Sequence, residues 1–302
     1  MGIYNNFKLF KNGIDNWFSV ALNMMVLKRP VNCKIKNVGS VQINGGENLL
    51  NSSLFRAVVS ANSNKLTEKQ IDILKTYLNQ FKNEIVTITN LEDGRKFKFY
   101  NNEVFTIFES FFYGEYEYLP YCENKKTLID IGGNIGDTAI YFANKGYDVI
   151  AFEPLPQICE IAYKNIDLNP NLKERIKFIN KAVSCKNGTL TISFDEENSA
   201  IAGEFNKSEK KIDVEATTIK DIITDFQIKP DIIKIDCEGC EVGIIKNSDL
   251  SMFSEIIMEY HTNFTSVPKD VLIDILKEQG FELKNIRKGE TEGTGIIHMK
   301  KQ

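Results

Sequence analysis

Residues 130–137 carry the clearest chemical signature in the sequence, Asp-Ile-Gly-Gly-Asn-Ile-Gly-Asp. The glycines allow a tight backbone turn that approaches a ligand closely, and a helix N-terminus is expected to follow. Glu153 lies near the end of the next predicted strand, where its carboxylate can accept hydrogen bonds from both hydroxyls of a ribose. The turn and the acid together predict a cofactor that contains a nucleoside.

The residue types around the turn distinguish between cofactors. A dinucleotide site has the spacing Gly-x-Gly-x-x-Gly, with a helix N-terminus facing a negatively charged pyrophosphate. In this chain Asp130 precedes the glycines and Asn134 separates them. A carboxylate there would repel pyrophosphate, whereas it would attract the sulfonium and ammonium groups of S-adenosylmethionine in a partly buried cleft. The spacing therefore favours S-adenosylmethionine.

Acids at later predicted strand ends are candidates for proton transfer. Asp236 and Glu238 follow the strand predicted over 231–236, and Glu259 and His261 lie at the end of the next one. S-adenosylmethionine donates a methyl group, and its transfer to a weak nucleophile, such as a hydroxyl, would benefit from a general base within hydrogen-bond reach. Our hypothesis from position is that Asp236 or Glu238 accepts or orients the proton of the methyl acceptor.

His261 is open to three interpretations. It could act as the base, because histidine titrates near neutrality. It could be a hydrogen-bonded residue at the rim of the site. It could also join Asp236 and Glu259 in a divalent-metal site, although an imidazole suits Mg²⁺ or Mn²⁺ poorly. We assign no metal ligands from the sequence and expect no metal requirement. His298, inside the last predicted strand, is interpreted as structural.

The elements that must position these residues alternate between strand and helix. Predicted strands cover 127–131, 148–152, 176–180, 231–236, 255–260, 281–286 and 295–300, and predicted helices cover 137–144, 157–168, 218–226, 241–246 and 269–279. An antiparallel detour is predicted over 188–218. Such alternation predicts a parallel sheet with right-handed crossovers. The last two strands have no helix between them and must pair antiparallel, which fits a methyltransferase better than a dehydrogenase.

Residues 1–84 are predicted to form a mainly helical accessory region, and residues 85–302 the main domain. Within the accessory region, apolar residues recur at helical spacing from Ile3 through Ile14 and Phe18 to Leu22, which predicts an amphipathic helix that could serve a homodimer. A capped helix is predicted to begin after Thr67. The main domain is divided into 85–121, a hairpin and an aromatic segment, and 122–302, a Rossmann-like core.

The net charge disfavours nucleic acid as a partner. With 37 Lys+Arg against 41 Asp+Glu the formal net charge is -4, so nucleic acid is not an expected partner.

The six cysteines are mostly scattered, as free thiols of a reducing compartment are. Cys237-Glu-Gly-Cys240 is interpreted as a tight turn rather than a redox pair or a zinc site. No transmembrane segment or signal peptide is recognised, and we expect a cytoplasmic protein.

Three segments together resemble the FkbM-type methyltransferases, one of the class I families that use S-adenosylmethionine. They are Leu128-Ile-Asp130-Ile-Gly-Gly-Asn-Ile-Gly136-Asp, Ala151-Phe-Glu153-Pro154 and Ile233-Lys234-Ile-Asp236-Cys-Glu238-Gly239-Cys-Glu241. Upstream, Phe108-Glu109 and Gly114-Glu115-Tyr116 resemble the entry segment of family members. The piece from Lys234 to Gly239 is the most selective for the family. Cys237 departs from the family pattern, which has small aliphatic residues there.

The resemblance implies a Rossmann-like class I methyltransferase fold, with a mostly parallel seven-stranded sheet and an antiparallel C-terminal hairpin. It implies methyl transfer from S-adenosylmethionine, usually to a hydroxyl of a small molecule, sugar or glycan. By position it implies cofactor binding by Asp130, Gly132, Asn134, Gly136, Glu153, Pro154, Ala182, Val183 and Asp236.

The resemblance also places Asp236 and Glu238 at the transfer centre, and we add His261 as a third catalytic candidate. Substrate-binding candidates are Glu109, Tyr116, Lys234 and Glu259, although Lys234 could instead pair with a neighbouring carboxylate. Two other functions stay open. One is a module that binds S-adenosylmethionine without chemistry, and the other is an NAD-dependent oxidoreductase, which the glycine spacing disfavours.

Overall fold

The computed structural model describes residues 11–43, 66–101, 104–194, 210–289 and 292–302, and the chain divides into two compact units, Met1–Leu119 and Pro120–Gln302. The hairpin and all but the last two residues of the aromatic segment lie in the first unit. The aromatic segment packs on the helix that precedes it, since the rings of Tyr77 and Phe108 contact each other edge to face with centroids 5.3 Å apart. The domain boundary drawn from the sequence between residues 84 and 85 stays a prediction.

The described part of the first unit contains helices and two antiparallel strand pairs. Its elements in chain order are α1 (Trp17–Ala21), a π-helix (Leu22–Leu27), β1 (Val31–Ile35), β2 (Gly39–Ile43), α2 (Glu68–Leu78), β3 (Ile85–Thr89), β4 (Lys96–Tyr100) and α3 (Val104–Phe111). Strand β1 pairs with β2, and β3 pairs with β4. The hairpin predicted within residues 85–121 is therefore found, as β3 and β4.

Helix α2 begins where the sequence predicts a cap. The Thr67 side chain accepts a hydrogen bond from the Gln70 N–H, and the Gln70 side chain accepts one from the Thr67 N–H, which forms a capping box. Leu74 and Leu78, one turn apart, are both buried. The cap and the apolar face of the helix follow directly from the spacing of these residues.

The prediction of one continuous amphipathic helix near the N-terminus is wrong. Residues 1–10 lie outside the described residues. Ile14 forms an isolated β-bridge with Ile35, and the Lys36 N–H donates to the Gly13 carbonyl at 2.9 Å. Pairing with β1 buries the Ile14 side chain, whereas Phe18 is 67% exposed. A tertiary contact therefore overrides the helical spacing, and the homodimer proposed for this region stays a prediction.

The second unit contains ten strands in the residues that the structure describes. They are β5 (Thr127–Ile131), β6 (Asp148–Phe152), β7 (Ile176–Ile179), β8 (Ala182–Val183), β9 (Gly188–Phe194), β10 (Lys210–Thr217), β11 (Ile232–Ile235), β12 (Glu255–His261), β13 (Phe281–Lys288) and β14 (Thr294–Lys301). Seven of them form a sheet in the order β13-β14-β12-β11-β5-β6-β7, in which β14 runs in the opposite direction to the other six. The predicted class I methyltransferase fold is confirmed.

The second unit also contains seven helices in its described part. They are α4 (Asp137–Asn144), α5 (Pro156–Asp167), α6 (Pro170–Lys173), α7 (Ile219–Phe226), α8 (Glu241–Asn247), α9 (Thr262–Thr265) and α10 (Lys269–Glu278). The central strands are apolar and buried on both faces, as the adjacent residues Ile232 and Ile233 of β11 illustrate. Strand order reverses between β5 and β11, so a crevice is expected beyond their carboxyl ends.

Strands β8, β9 and β10 form a separate three-stranded sheet. Strands β9 and β10 pair antiparallel, as predicted, and residues 195–209 between them lie outside the described residues. The short strand β8 pairs in parallel with β10. Among the described helices, none combines the length and hydropathy needed to cross a membrane.

Candidate active site

The turn after β5 brings the carboxyl ends of β5 and β11 into direct contact. Gly132 follows Ile131 with φ +79°, and a Cβ built there would lie 1.6 Å from the carbonyl oxygen of Asp236. Because no side chain fits between these backbones, position 132 requires glycine. The N–H groups of Gly132 and Gly133 both donate to the Phe152 carbonyl at 2.9 Å, which fixes the turn to the end of β6.

Lys234 is a buried cation in the middle of β11. Its Nζ lies 3.1 Å from Asp130 Oδ1 and 3.4 Å from Asp236 Oδ2, and it donates to the Gly132 carbonyl at 3.1 Å. Burial alone would lower the pKa of Lys234, but the charges of Asp130 and Asp236 raise it, so the lysine stays protonated. Thr138 donates to the other oxygen of Asp130 at 2.6 Å. Lys234 therefore pairs with carboxylates, and its predicted contact with substrate stays a prediction.

Glu153 lies at the end of β6 and holds the glycine turn from the other side. Its Oε2 accepts from the Asn134 N–H at 3.2 Å and its Oε1 from the Leu155 N–H at 3.0 Å. Burial raises the pKa of Glu153 to about 7, although these two hydrogen bonds favour the ionised form. Asn134 has a left-handed backbone, with φ +43°. Its side-chain Oδ1 is buried and has no hydrogen-bond partner among the described residues.

The segment after β11 is closed by a disulfide. Cys237 and Cys240 are bonded to each other, and the bond encloses Glu238 and Gly239. Glu238 has φ +51°, a conformation that non-glycine residues adopt rarely. The interpretation of Cys237 and Cys240 as two side chains that only flank a tight turn is wrong, because they form a disulfide. The short spacing brings their Cα atoms to 5.4 Å, within the range of a disulfide.

His261, at the end of β12, is held by the buried carboxylate of Glu241 from α8. Glu241 Oε1 accepts from the His261 backbone N–H at 3.1 Å and lies 3.3 Å from His261 Nδ1. Its other oxygen accepts from the Gly239 N–H at 2.8 Å. The Phe264 ring stacks on the imidazole, with centroids 5.8 Å apart and 13° between the planes. The imidazole orientation is thus fixed by two neighbours.

Asp236, Glu238 and His261 form one cluster. One ligand atom from each lies within 4.8 Å of the others, which is compact enough for a shared cation. His261 Nε2 lies 3.5 Å from Glu238 Oε2 and 3.8 Å from Glu259 Oε1. The structure therefore brings together the three residues predicted as catalytic, with Glu259 next to them.

The charges in this cluster strongly affect one another. Burial raises the pKa of Glu238 to about 7, opposed by His261 and reinforced by Asp236 and Glu241. Burial would lower the pKa of His261, but the hydrogen bond to Glu241 and the charges of Glu238, Glu241 and Asp236 raise it to about 9. Burial is the main cause of the shift of Glu238, and the carboxylates packed around the imidazole cause the shift of His261. Perturbed pKa values of this kind are common in functional sites.

Other predicted residues lie further from this cluster along the chain. Gly136, with φ +81°, precedes α4. Pro154 follows Glu153, and Ala182 and Val183 form the buried strand β8. Their roles in cofactor binding stay predictions.

Two residues predicted to bind substrate belong to the first unit. Glu109 lies in α3, and Tyr116 is buried in the segment that follows that helix. Their contact with substrate stays a prediction. Glu241 and Thr138, in contrast, have clear positioning contacts and were missed from the sequence. Each lies in the first turn of a short helix, where acidic and hydroxyl side chains are common. The residue type alone therefore does not indicate a role in the site.

Comparison with known proteins identifies the family. Residues 130–283, just over half of the chain, match the methyltransferase FkbM domain. The hexuronic acid methyltransferase AglP of Haloferax volcanii is 28% identical over 157 residues, which cover 51% of this chain and 62% of that protein. The chain thus spans less than two thirds of the length of this curated relative.

Solved structures of two methyltransferases are also similar. Precorrin-6y C5,15-methyltransferase from Geobacter metallireducens covers 59% of this chain and 82% of its own, with 14% identity and a TM-score of 0.35. A TehB-like SAM-dependent methyltransferase from Corynebacterium glutamicum covers 60% and 83%, with 11% identity and a TM-score of 0.34. The domain match together with the sheet order leads to one assignment. The chain belongs to the FkbM methyltransferase family.

Proposed function

We propose that this protein transfers a methyl group from S-adenosylmethionine to a hydroxyl oxygen of a sugar or sugar acid. The observation that carries the proposal is the cluster of Asp236, Glu238 and His261 at the ends of β11 and β12, next to the glycine turn. Family membership supports methyl transfer. The hexuronic acid in the name of the archaeal relative supports a uronic acid as the methyl acceptor.

The residues at the strand ends fit S-adenosylmethionine in their hydrogen-bonding capacity. The buried Oδ1 of Asn134 is suited to an ammonium donor. Each oxygen of Glu153 accepts one backbone N–H. Because a carboxylate offers about four acceptor positions, two remain for the ribose hydroxyls. The carboxylate of Asp236, 28% exposed, adds the negative charge that a cationic ligand requires.

The chemistry divides between the cofactor and the chain. S-adenosylmethionine supplies an electrophilic methyl group, whose bond to sulfur breaks as the hydroxyl oxygen bonds the methyl carbon. The chain must align that hydroxyl with the methyl–sulfur bond, which provides a large part of the acceleration in a displacement of this kind. Asp236 or Glu238 orients the hydroxyl and accepts its proton, and His261, held by Glu241, contacts the same oxygen.

The test is transfer of radiolabelled methyl from S-adenosylmethionine to glucuronic acid, galacturonic acid and glucose. The variants are Asp236→Asn and Glu238→Gln, which remove charge at nearly constant volume. Loss of a general base lowers kcat by about 10²- to 10⁴-fold. The matched control is Asp249→Asn, because this acid contacts Ser251 in a surface turn and lies outside the cluster.

The outcomes separate the functions. Labelled product from wild type and the control, with a loss in at least one cluster variant, supports the proposal. Full turnover in both cluster variants would contradict the site assignment. Saturable cofactor binding without product from any hydroxylated acceptor would favour a binding module without chemistry.

A further inference from the structure

The cluster of Asp236, Glu238 and His261 has the dimensions of a site for one metal ion. Donor atoms around a small octahedral ion with bonds of about 2.1 Å lie ~3 to 4.2 Å apart. The three donor atoms lie within 4.8 Å of one another before any ion is bound. The two carboxylates are 28% and 24% exposed and can rotate, so a small side-chain movement closes the difference.

The imidazole is already oriented as metal ligands of this type usually are. A histidine that binds metal through Nε2 commonly hydrogen-bonds through Nδ1 to a carboxylate, which fixes the tautomer and the ring orientation. His261 has this arrangement, because Nδ1 lies 3.3 Å from the fully buried Glu241 and Nε2 faces Glu238. Phe264 stacks on the ring and restricts its rotation. The cluster is therefore more than a group of surface acids.

The charge balance around the cluster favours a cation. Three carboxylates, from Glu238, Glu241 and Glu259, lie within 3.8 Å of a nitrogen of His261. Lys234 shares its charge between Asp130 and Asp236. Five carboxylates thus surround two protein cations. Two of the five, Asp130 and Glu241, are fully buried, and a further cation would offset the cost of the negative charge gathered around them.

We propose that Asp236, Glu238 and His261 bind one divalent cation, with Mn²⁺ preferred over Mg²⁺. Two carboxylates and water suit a hard ion, and the single imidazole nitrogen is tolerated better by Mn²⁺ than by Mg²⁺. Glu241 acts as a positioning residue that holds the imidazole. In the proposed methyl transfer, the ion would bind the acceptor's hydroxyl and lower its pKa, so that the carboxylate oxygen of Asp236 or Glu238 that does not bind the ion accepts the proton more readily.

The catalytic role of the ion rests on the proposed methyl transfer, whereas its binding does not. The experiment therefore measures binding without cofactor or methyl acceptor. The full chain is treated with EDTA and desalted, and Mn²⁺ is then added while the six-line electron paramagnetic resonance signal of the free ion is recorded. Binding removes signal in proportion to occupied sites. We expect one Mn²⁺ per chain, displaced by a large excess of Mg²⁺.

Variants identify the ligands. His261→Ala and Asp236→Asn are expected to weaken Mn²⁺ binding by more than 100-fold. Glu241→Gln should weaken it by about 10- to 100-fold, which is the usual effect of losing a residue that orients a ligand. The control is His298→Asn, which removes the only other histidine of the sequence. His298 pairs with Glu255, at the opposite end of β12 from His261. Circular dichroism of each variant confirms that it is folded.

A wild-type chain that leaves the Mn²⁺ signal unchanged at millimolar concentration would overturn the proposal, whether or not methyl transfer occurs. Equal affinity in wild type and folded His261→Ala would overturn the ligand assignment. If Mn²⁺ binds but no acceptor is methylated, the metal site stands and the proposed function fails. If methyl transfer persists undiminished in EDTA, the ion has no catalytic role and the carboxylates act directly.

Discussion

Glu241 holds His261 with a single carboxylate oxygen, which accepts from the histidine backbone N–H at 3.1 Å and lies 3.3 Å from its Nδ1. The other oxygen accepts from Gly239 at 2.8 Å. One buried side chain therefore links the loop after β11, the first turn of α8 and the end of β12. The positions of Glu238 and His261 relative to each other depend on this link.

Removal of the Lys234 charge is expected to destabilise the second unit strongly. Lys234→Met leaves the buried carboxylate of Asp130 without its main counter-charge. Breaking a buried ion pair costs about 3–5 kcal/mol of unfolding free energy, which urea denaturation measures. The double variant Asp130→Asn with Lys234→Met should recover part of that loss.

The control for this prediction is Lys181→Met. Lys181 pairs with Glu215 at 2.6 Å, but the two side chains are 36% and 66% exposed. Exposed pairs contribute about 1 kcal/mol or less, so this variant should unfold nearly as wild type does. Equal losses in Lys234→Met and Lys181→Met would contradict the buried pair.

Gly132→Ala is expected to prevent the β5 turn from packing on β11. The added Cβ would overlap the Asp236 carbonyl and would also require a left-handed backbone. The combined cost should exceed about 3 kcal/mol. Gly280→Ala is the matched control, since φ is +90° but the nearest atom is the flexible end of Lys301 at 3.9 Å. Similar urea midpoints for the two variants would argue against the close approach.

Cofactor affinity should depend on pH through Glu153. The pKa of this buried acid is raised to about 7 in the free protein, and ribose hydroxyls hydrogen-bond best to its ionised form. Affinity should therefore rise with pH, by about tenfold between pH 6 and pH 8, because the ionised fraction rises by that factor. Calorimetry with S-adenosylhomocysteine measures this change and the accompanying proton release. The Glu153→Gln variant should bind S-adenosylhomocysteine weakly, with an affinity that does not change with pH. If the affinity of this variant still rose with pH, the pH dependence would belong to another group.

Thiol counting tests the disulfide beside Glu238. Protein purified without reductant and denatured should show four reactive thiols, those of Cys33, Cys122, Cys159 and Cys185, and six after reduction. Closing so short a loop stabilises the folded chain by about 2 kcal/mol. Replacing Cys237 and Cys240 by serine should cost a similar amount in urea denaturation. Six reactive thiols before reduction would show that the bond is absent.

The strand-end residues could be predicted because their spacing reflects the fold. Gly132 lies where a parallel strand must turn, and Asp236 and His261 each lie at the end of a short, mostly apolar run whose length and β-branched residues favour a buried strand. Sheet order then places these ends along one edge. The three catalytic candidates are adjacent in the structure for that reason.

Other features depend on tertiary contacts that spacing does not encode. Glu241 reads as an ordinary acid in a first helical turn, and only the structure shows that it contacts His261, 20 residues later. The break at Ile14 depends on pairing with Ile35, which outweighs the helical spacing. The pairing of Lys234 with Asp130 was one of two alternatives, and the sequence could not decide between them.

The most direct measurement is calorimetric titration of the full chain and of its Glu153→Ala variant. Each protein is titrated with S-adenosylhomocysteine and, separately, with NAD. We predict saturable binding of S-adenosylhomocysteine, no binding of NAD, and a clear loss of affinity in the variant. Saturable binding of NAD without binding of S-adenosylhomocysteine would contradict the assignment of these strand ends to a methyltransferase site.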